Sequence, residues 1–104
     1  MANFDITQIK GVIPATITCF DVEGNLDLQK IRNMTEFMIG AGVNGLYLTG
    51  STGICYTMTA EERMQVVEAT IDQVAGRIPV IVHVGDIGTQ KSIDLAIHAE
   101  KAGA

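Results

Sequence analysis

The stretch Thr49-Gly50-Ser51-Thr52-Gly53 concentrates more potential chemistry than any other part of the chain. Its two glycines let the backbone turn sharply and approach a ligand closely, while two adjacent hydroxyls and the loop amides offer several donors to an anion. There is no lysine of the kind a phosphate-binding P-loop requires, and the glycine spacing is not that of a dinucleotide fingerprint. A carboxylate therefore matches Gly50, Ser51, Thr52 and Gly53 better than a triphosphate does. An ordinary Gly/Ser/Thr turn has the same composition, so the surroundings of the loop have to decide.

Other reactive side chains offer less. His83 lies inside an apolar segment, where a satisfied core histidine is the favoured reading over a general base. His98 falls on a predicted helix and is expected at the surface. Cys19 and Cys55 each follow a predicted strand; two cysteines are too few for a disulfide framework and lack metal-ligand spacing, so reduced thiols packed as small residues are expected. Tyr56 could line a pocket or belong to an oligomer contact. Lys30, Arg32, Arg63, Lys91 and Lys101 are expected on solvated helix faces. The five methionines fall mostly at helical core spacing, which is packing. Nothing here implies a metal or cofactor.

The elements that must position the loop follow from periodicity. Val12–Ile17, Gly45–Leu48 and Val80–Val84 are nearly continuous apolar runs, the pattern of parallel strands covered on both faces. Pro14 cannot donate to a ladder and belongs near a strand entry. A first helix has Leu28, Ile31, Met34, Met38 and Ala41 on its apolar face, Asp27 as N-cap and Gly42 closing it. A second opens on the capping box Thr59-Ala60-Glu61-Glu62, carries Met64, Val67, Ile71 and Val74, and ends at Gly76 before Pro79. A third begins near Thr89, carries Ile93, Ala96 and Ile97, and closes at Gly103.

Val12, Leu46 and Val80 are spaced 34 positions apart, so a strand-loop-helix unit repeats at constant length. Units in series imply right-handed crossovers and a parallel sheet. A (β/α)8 barrel uses ~31 residues per unit, so residues 1–104 are expected to be the N-terminal part of one such barrel domain, its first three βα units.

Composition narrows the partners. The chain has 104 residues, 47% of them hydrophobic, and a net charge of -5. It can form a core, but it has no basic stripe for nucleic acid or anionic membranes. No apolar run reaches the length of a membrane span, and Met1-Ala2-Asn3-Phe4-Asp5 shows no targeting pattern, so a cytoplasmic location is expected.

Read together, Gly50-Ser51-Thr52-Gly53, Met58-Thr59-Ala60-Glu61-Glu62-Arg63 and the run from Gly76 to Gly85 resemble the dihydrodipicolinate synthase and N-acetylneuraminate lyase family. Thr18-Cys19-Phe20 in place of the family's Thr-Pro-Phe, Gly24-Asn25-Leu26-Asp27 and Ala102-Gly103-Ala104 support the match, which runs from Gly11 onward. The resemblance implies a (β/α)8 barrel, usually tetrameric, acting as a class I aldolase or lyase on pyruvate or a related 2-keto acid through a lysine Schiff base. It also implies that Ser51 and Thr52 bind the keto-acid carboxylate and that the Ser51 hydroxyl joins a proton relay with tyrosines. Ser51 and His83-Val84-Gly85 lean toward the lyase branch.

Two departures matter. Ile54 stands where the family usually has Glu. The Schiff-base lysine and the relay tyrosine belong to strands six and four, beyond residue 104. Alternatives to an enzyme therefore stay open: a folding or assembly unit that self-associates or joins a complementing C-terminal half, because three strands leave sheet edges unpaired, or a small anion-binding module.

Overall fold

The computed structural model describes residues 4–104. Met1, Ala2 and Asn3, read above as part of an N-terminus without a targeting pattern, lie outside them. Two strands, β1 (Leu46–Leu48) and β2 (Val80–Val82), pair in parallel with Leu46 beside Val80 and Leu48 beside Val82. Three helices, α1 (Leu28–Gly40), α2 (Ala60–Val74) and α3 (Thr89–Ala102), connect and follow them. The result is a partial α/β barrel in which each strand leads into a helix, α1 packs on α2, and α2 packs on α3.

The strands are short but deeply seated. Leu46, Leu48 and Val80 point toward the helices and form one buried cluster with Val67 and Val74 of α2, against which Met38, Ile39, Ile71 and Val82 pack. Alternation sends Tyr47 and Ile81 to the opposite face. Among the described residues that face carries no α-helix layer, which is how the interior side of a barrel sheet is arranged.

Helix boundaries follow local chemistry. Asp27 caps α1 by accepting from the Lys30 amide. The Thr59 hydroxyl accepts from the Glu62 amide while Glu62 accepts from the Thr59 amide, so the anticipated capping box is present in both directions. Gly103 closes α3 in the left-handed region.

Several expectations need correction. Val12–Ile17 is not a regular strand. It runs beside β1 with a single parallel bridge from Ala15 to Tyr47, and its bonds are Tyr47 N to Pro14 O (3.0 Å) and Thr16 N to Tyr47 O (2.9 Å). Proline accepts but cannot donate, so no regular ladder propagates through it. The third strand ends at Val82 rather than Val84.

On α3 the anticipated apolar face is the wrong one. Leu95 and Ala99 are buried, whereas Ile93 and Ile97 are about half exposed and Ala96 is exposed. On α1, Ile31 and Thr35 are buried and Leu28 and Ala41 are exposed. On α1 the anticipated face is the covered one at Ile31 and Met38, with only its ends exposed, whereas on α3 spacing picks out apolar residues that meet no layer among the described residues. Met34, Met38 and Met64 are half-buried on their helices, as packing residues.

Candidate functional site

The Gly50–Gly53 loop leaves the C-terminal end of β1 through Thr49, which is 1% exposed and has φ 53°, a left-handed conformation unusual for a β-branched residue. Gly50 and Gly53 are both buried. A Cβ on Gly50 would stand 2.8 Å from Tyr47 Cε1, and one on Gly53 would press at 3.2 Å on Thr16 O and on the Thr49 backbone. The two glycines thus let the loop sit close on the strand ends, where a side chain would force the Tyr47 ring or the neighbouring backbone to give.

Within the loop, carbonyls turn inward to bond. Ile54 N donates to Ser51 O at 3.0 Å, Cys55 N to Gly50 O at 3.2 Å, and the Thr18 hydroxyl to Gly53 O at 2.7 Å. Ser51 and Thr52 are exposed. Among the described residues, the amides of Ser51, Thr52 and Gly53 donate to no protein acceptor. Two hydroxyls and three backbone donors therefore stand together at a strand's C-terminal end, unclaimed by helix or ladder. Such a cluster can hold a carboxylate by neutral donors alone.

The loop is tied to the turn after β2. Thr49 Oγ1 donates to His83 O at 3.0 Å, His83 Nδ1 lies 3.0 Å from Thr49 O, and His83 N donates to Leu48 O at 2.9 Å. Behind them Arg63, in the first turn of α2, spans two carbonyls, with Nη1 on Gly85 O and Nη2 on His83 O, both at 2.9 Å. Its Nη1 is also 3.7 Å from Asp86 Oδ2. Arg63 is 4% exposed, so the expectation of a solvated face fails. The reason is that strand-end carbonyls stand where α2 begins and have no ladder partner, and a guanidinium reaches two of them at once.

The remaining candidates fall as follows. His83 is half-buried and hydrogen-bonded, consistent with a satisfied histidine. His98 is half-buried rather than at the surface and pairs with Glu68 at 2.7 Å. Cys19 and Cys55 are free and half-buried, and burial, with Asp27 adding to it, pushes the Cys19 thiol up. Tyr56 lines an open groove of about 490 Å³ together with Met58, Arg63, His83 and Ile87. Ile54 adopts φ 51° and starts a 3-10 turn, Cys55–Thr57, that sequence patterning had not signalled. Among the described residues no helix is long and apolar enough to cross a membrane.

Comparison with known proteins adds four likenesses. The profile of the Dihydrodipicolinate synthetase family matches residues 8–104. The chain is 45% identical over 97 residues to the 4-hydroxy-tetrahydrodipicolinate synthase of Bartonella quintana (strain Toulouse), covering 93% of this chain and 33% of that protein. It is 38% identical over 96 residues to the N-acetylneuraminate lyase of Citrobacter koseri, covering 92% of this chain and 32% of that one. Among solved structures it superposes with TM-score 0.89 and 36% identity on a prophage protein of the dihydrodipicolinic acid synthase family from E. coli K12 in complex with pyruvate, covering 93% of this chain and 33% of that chain. The chain spans about a third of the length of the curated relatives it matches.

Proposed function

Because the chain belongs to the dihydrodipicolinate synthetase family, we propose that its Gly50–Gly53 loop binds the carboxylate of pyruvate or a related 2-keto acid in a Schiff-base-forming lyase or aldolase. The observation that carries the reading is the cluster of unclaimed donors at Ser51, Thr52 and Gly53, held at the C-terminal end of β1. Active sites of this fold are built at that end of the strands. The pyruvate complex of the E. coli K12 relative supports the ligand class.

In this reading the Ser51 and Thr52 donors fix the carboxylate and so orient the adjacent C2 carbonyl. A lysine amine from a later barrel strand adds to C2, and water leaves as the iminium forms. The iminium draws the electron pair of the C3–C4 bond during cleavage, and the Ser51 hydroxyl passes a proton within the relay. A carboxylate grip that is equal in ground and transition state lowers KM and leaves kcat little changed. Relatives named for both a synthase and a lyase match this chain, so the second substrate is set outside it. A cytoplasmic, oligomeric enzyme is part of the same proposal.

The test is reconstitution. Residues 1–104 mixed with a chain carrying units four to eight of a close relative should cleave or condense a keto acid. Borohydride with pyruvate should then place a single adduct on the added chain and none on residues 1–104. An adduct at stoichiometry on residues 1–104 alone, or full activity in the Ser51→Ala/Thr52→Val double variant, would overturn the reading.

A second reading, an assembly unit without its own turnover, has its own support. The outer edge of β2 has no partner among the described residues. Phe4, Ile6, Ile9, Val80 and Val82 line an apolar groove of about 490 Å³ that also touches Ala104. Concentration-dependent association of residues 1–104 in sedimentation velocity, abolished by the complementing chain, would favour it. A cooperatively melting monomer at all concentrations would count against it.

A further inference from the structure

We infer that His83 is a positioning residue for the Gly50–Gly53 loop: its Nδ1–H fixes the Thr49 carbonyl, and with it the peptide plane from which the loop departs. The inference rests on the carboxylate reading of that loop and adds to it a residue outside the loop on which carboxylate affinity depends.

The geometry is specific. His83 Nδ1 is 3.0 Å from Thr49 O. A carbonyl oxygen can only accept, so the ring nitrogen donates and the neutral imidazole carries its proton on Nδ1. The contact is returned, since Thr49 Oγ1 donates to His83 O at 3.0 Å. His83 O also accepts from Arg63 Nη2 at 2.9 Å, so both of its lone pairs are engaged. Thr49 is thereby held at φ 53°, a conformation that persists for such a residue only when its surroundings over-determine it.

The ring itself has little freedom. A Cβ on Gly85 would stand 2.8 Å from His83 Nε2, and one on Gly50 would stand 2.8 Å from Tyr47 Cε1. The two rings lie 6.3 Å apart, tilted by 46°. Each glycine thus leaves room for one ring, and the two rings are tilted neighbours. Gly85 is exposed and its φ is not in the left-handed region, so the space it leaves for the imidazole is what a side chain there would take away.

Three substitutions separate this role from general packing. His83→Asn keeps an N–H donor at nearly the Nδ1 position, His83→Leu keeps the bulk without the donor, and Gly85→Ala pushes the ring. In the reconstituted assembly, His83→Leu and Gly85→Ala should raise KM for the keto acid by roughly tenfold with kcat little changed, the signature of lost uniform binding, while His83→Asn stays within about threefold of wild type. The 15N spectrum of histidine-labelled chain should show the His83 proton on Nδ1.

Wild-type KM in His83→Leu, equal losses in His83→Asn and His83→Leu, or a proton on Nε2 would each overturn the inference and leave the carboxylate reading standing. If the wild-type assembly binds no keto acid, the carboxylate reading is the one that fails. Positioning is then decided by the HN–Hα coupling at Thr49, which must change in His83→Leu and not in His83→Asn.

Discussion

Replacing Arg63 with methionine removes the guanidinium while keeping most of the stem. The side chain is 4% exposed and makes two bonds to carbonyls at 2.9 Å. Hydrogen bonds from a charged donor contribute ~1.5–3 kcal/mol each, whereas a buried donor without a partner costs ~1–3 kcal/mol. Arg63 Nε is such a donor among the described residues, so its removal offsets part of the loss. Gly85 is exposed, so its carbonyl can turn to water, and His83 O keeps the Thr49 hydroxyl. The balance is a net destabilisation of about 2 kcal/mol.

Urea unfolding at one fixed chain concentration, which keeps any linked association constant, should show a midpoint lower by about 1 M, given slopes of ~1–3 kcal/mol/M. Arg63→Lys should recover less than half of that shift, because an ammonium on a single stem does not span both carbonyls. An unchanged midpoint, or a higher one, would refute the reasoning. It would mean that desolvating the charge costs as much as its bonds return.

Two further outcomes are expected. Ala75 caps α2 at φ 50° and is exposed, so Ala75→Gly should stabilise the chain by ~0.5–1 kcal/mol once the entropy of glycine is deducted; a lower melting temperature would contradict this. Glu36 is hydrogen-bonded by Arg77 and Gln73, which hold its carboxyl below the ordinary range. Because the folded value is depressed, its stabilisation is full above the ordinary carboxylate value of about 4.3 and is lost as pH falls through the lower folded value. Glu36→Gln should therefore flatten the acid limb of melting temperature against pH, by a small amount since the pair is exposed; identical limbs would rule the pair out as a source of pH dependence.

What could be read before the structure was what depends on neighbours in sequence. The Thr59 capping box, the Asp27 cap and the Gly103 closure are decided within one helical turn, and all three are found. The loop after Leu48 was likewise visible from its glycines and hydroxyls. Arg63 was misplaced because periodicity assigns every charge to solvent, whereas its two acceptors come from residues 83 and 85, twenty or more positions away. The one available signal was an arginine directly after a capping box, where a long side chain from the first turn can reach a neighbouring strand end. The face of α3 was misread for a related reason. Ile93 and Ile97 repeat at helical spacing, but which stripe is covered depends on the neighbour present. Thr16, Thr35 and Thr49, all buried and hydrogen-bonded through their hydroxyls, carry no pattern that separates a bonded core threonine from a surface one.

The central claim, that the Gly50–Gly53 loop is a carboxylate site, is tested most directly by a crystal structure of the reconstituted assembly with pyruvate trapped by borohydride. The account predicts both carboxylate oxygens within hydrogen-bond reach, about 2.7–3.2 Å, of donors from Ser51 and Thr52, with Thr49 still left-handed. A trapped carboxylate held by other residues, with the Ser51 and Thr52 amides bonded to protein acceptors, would contradict it.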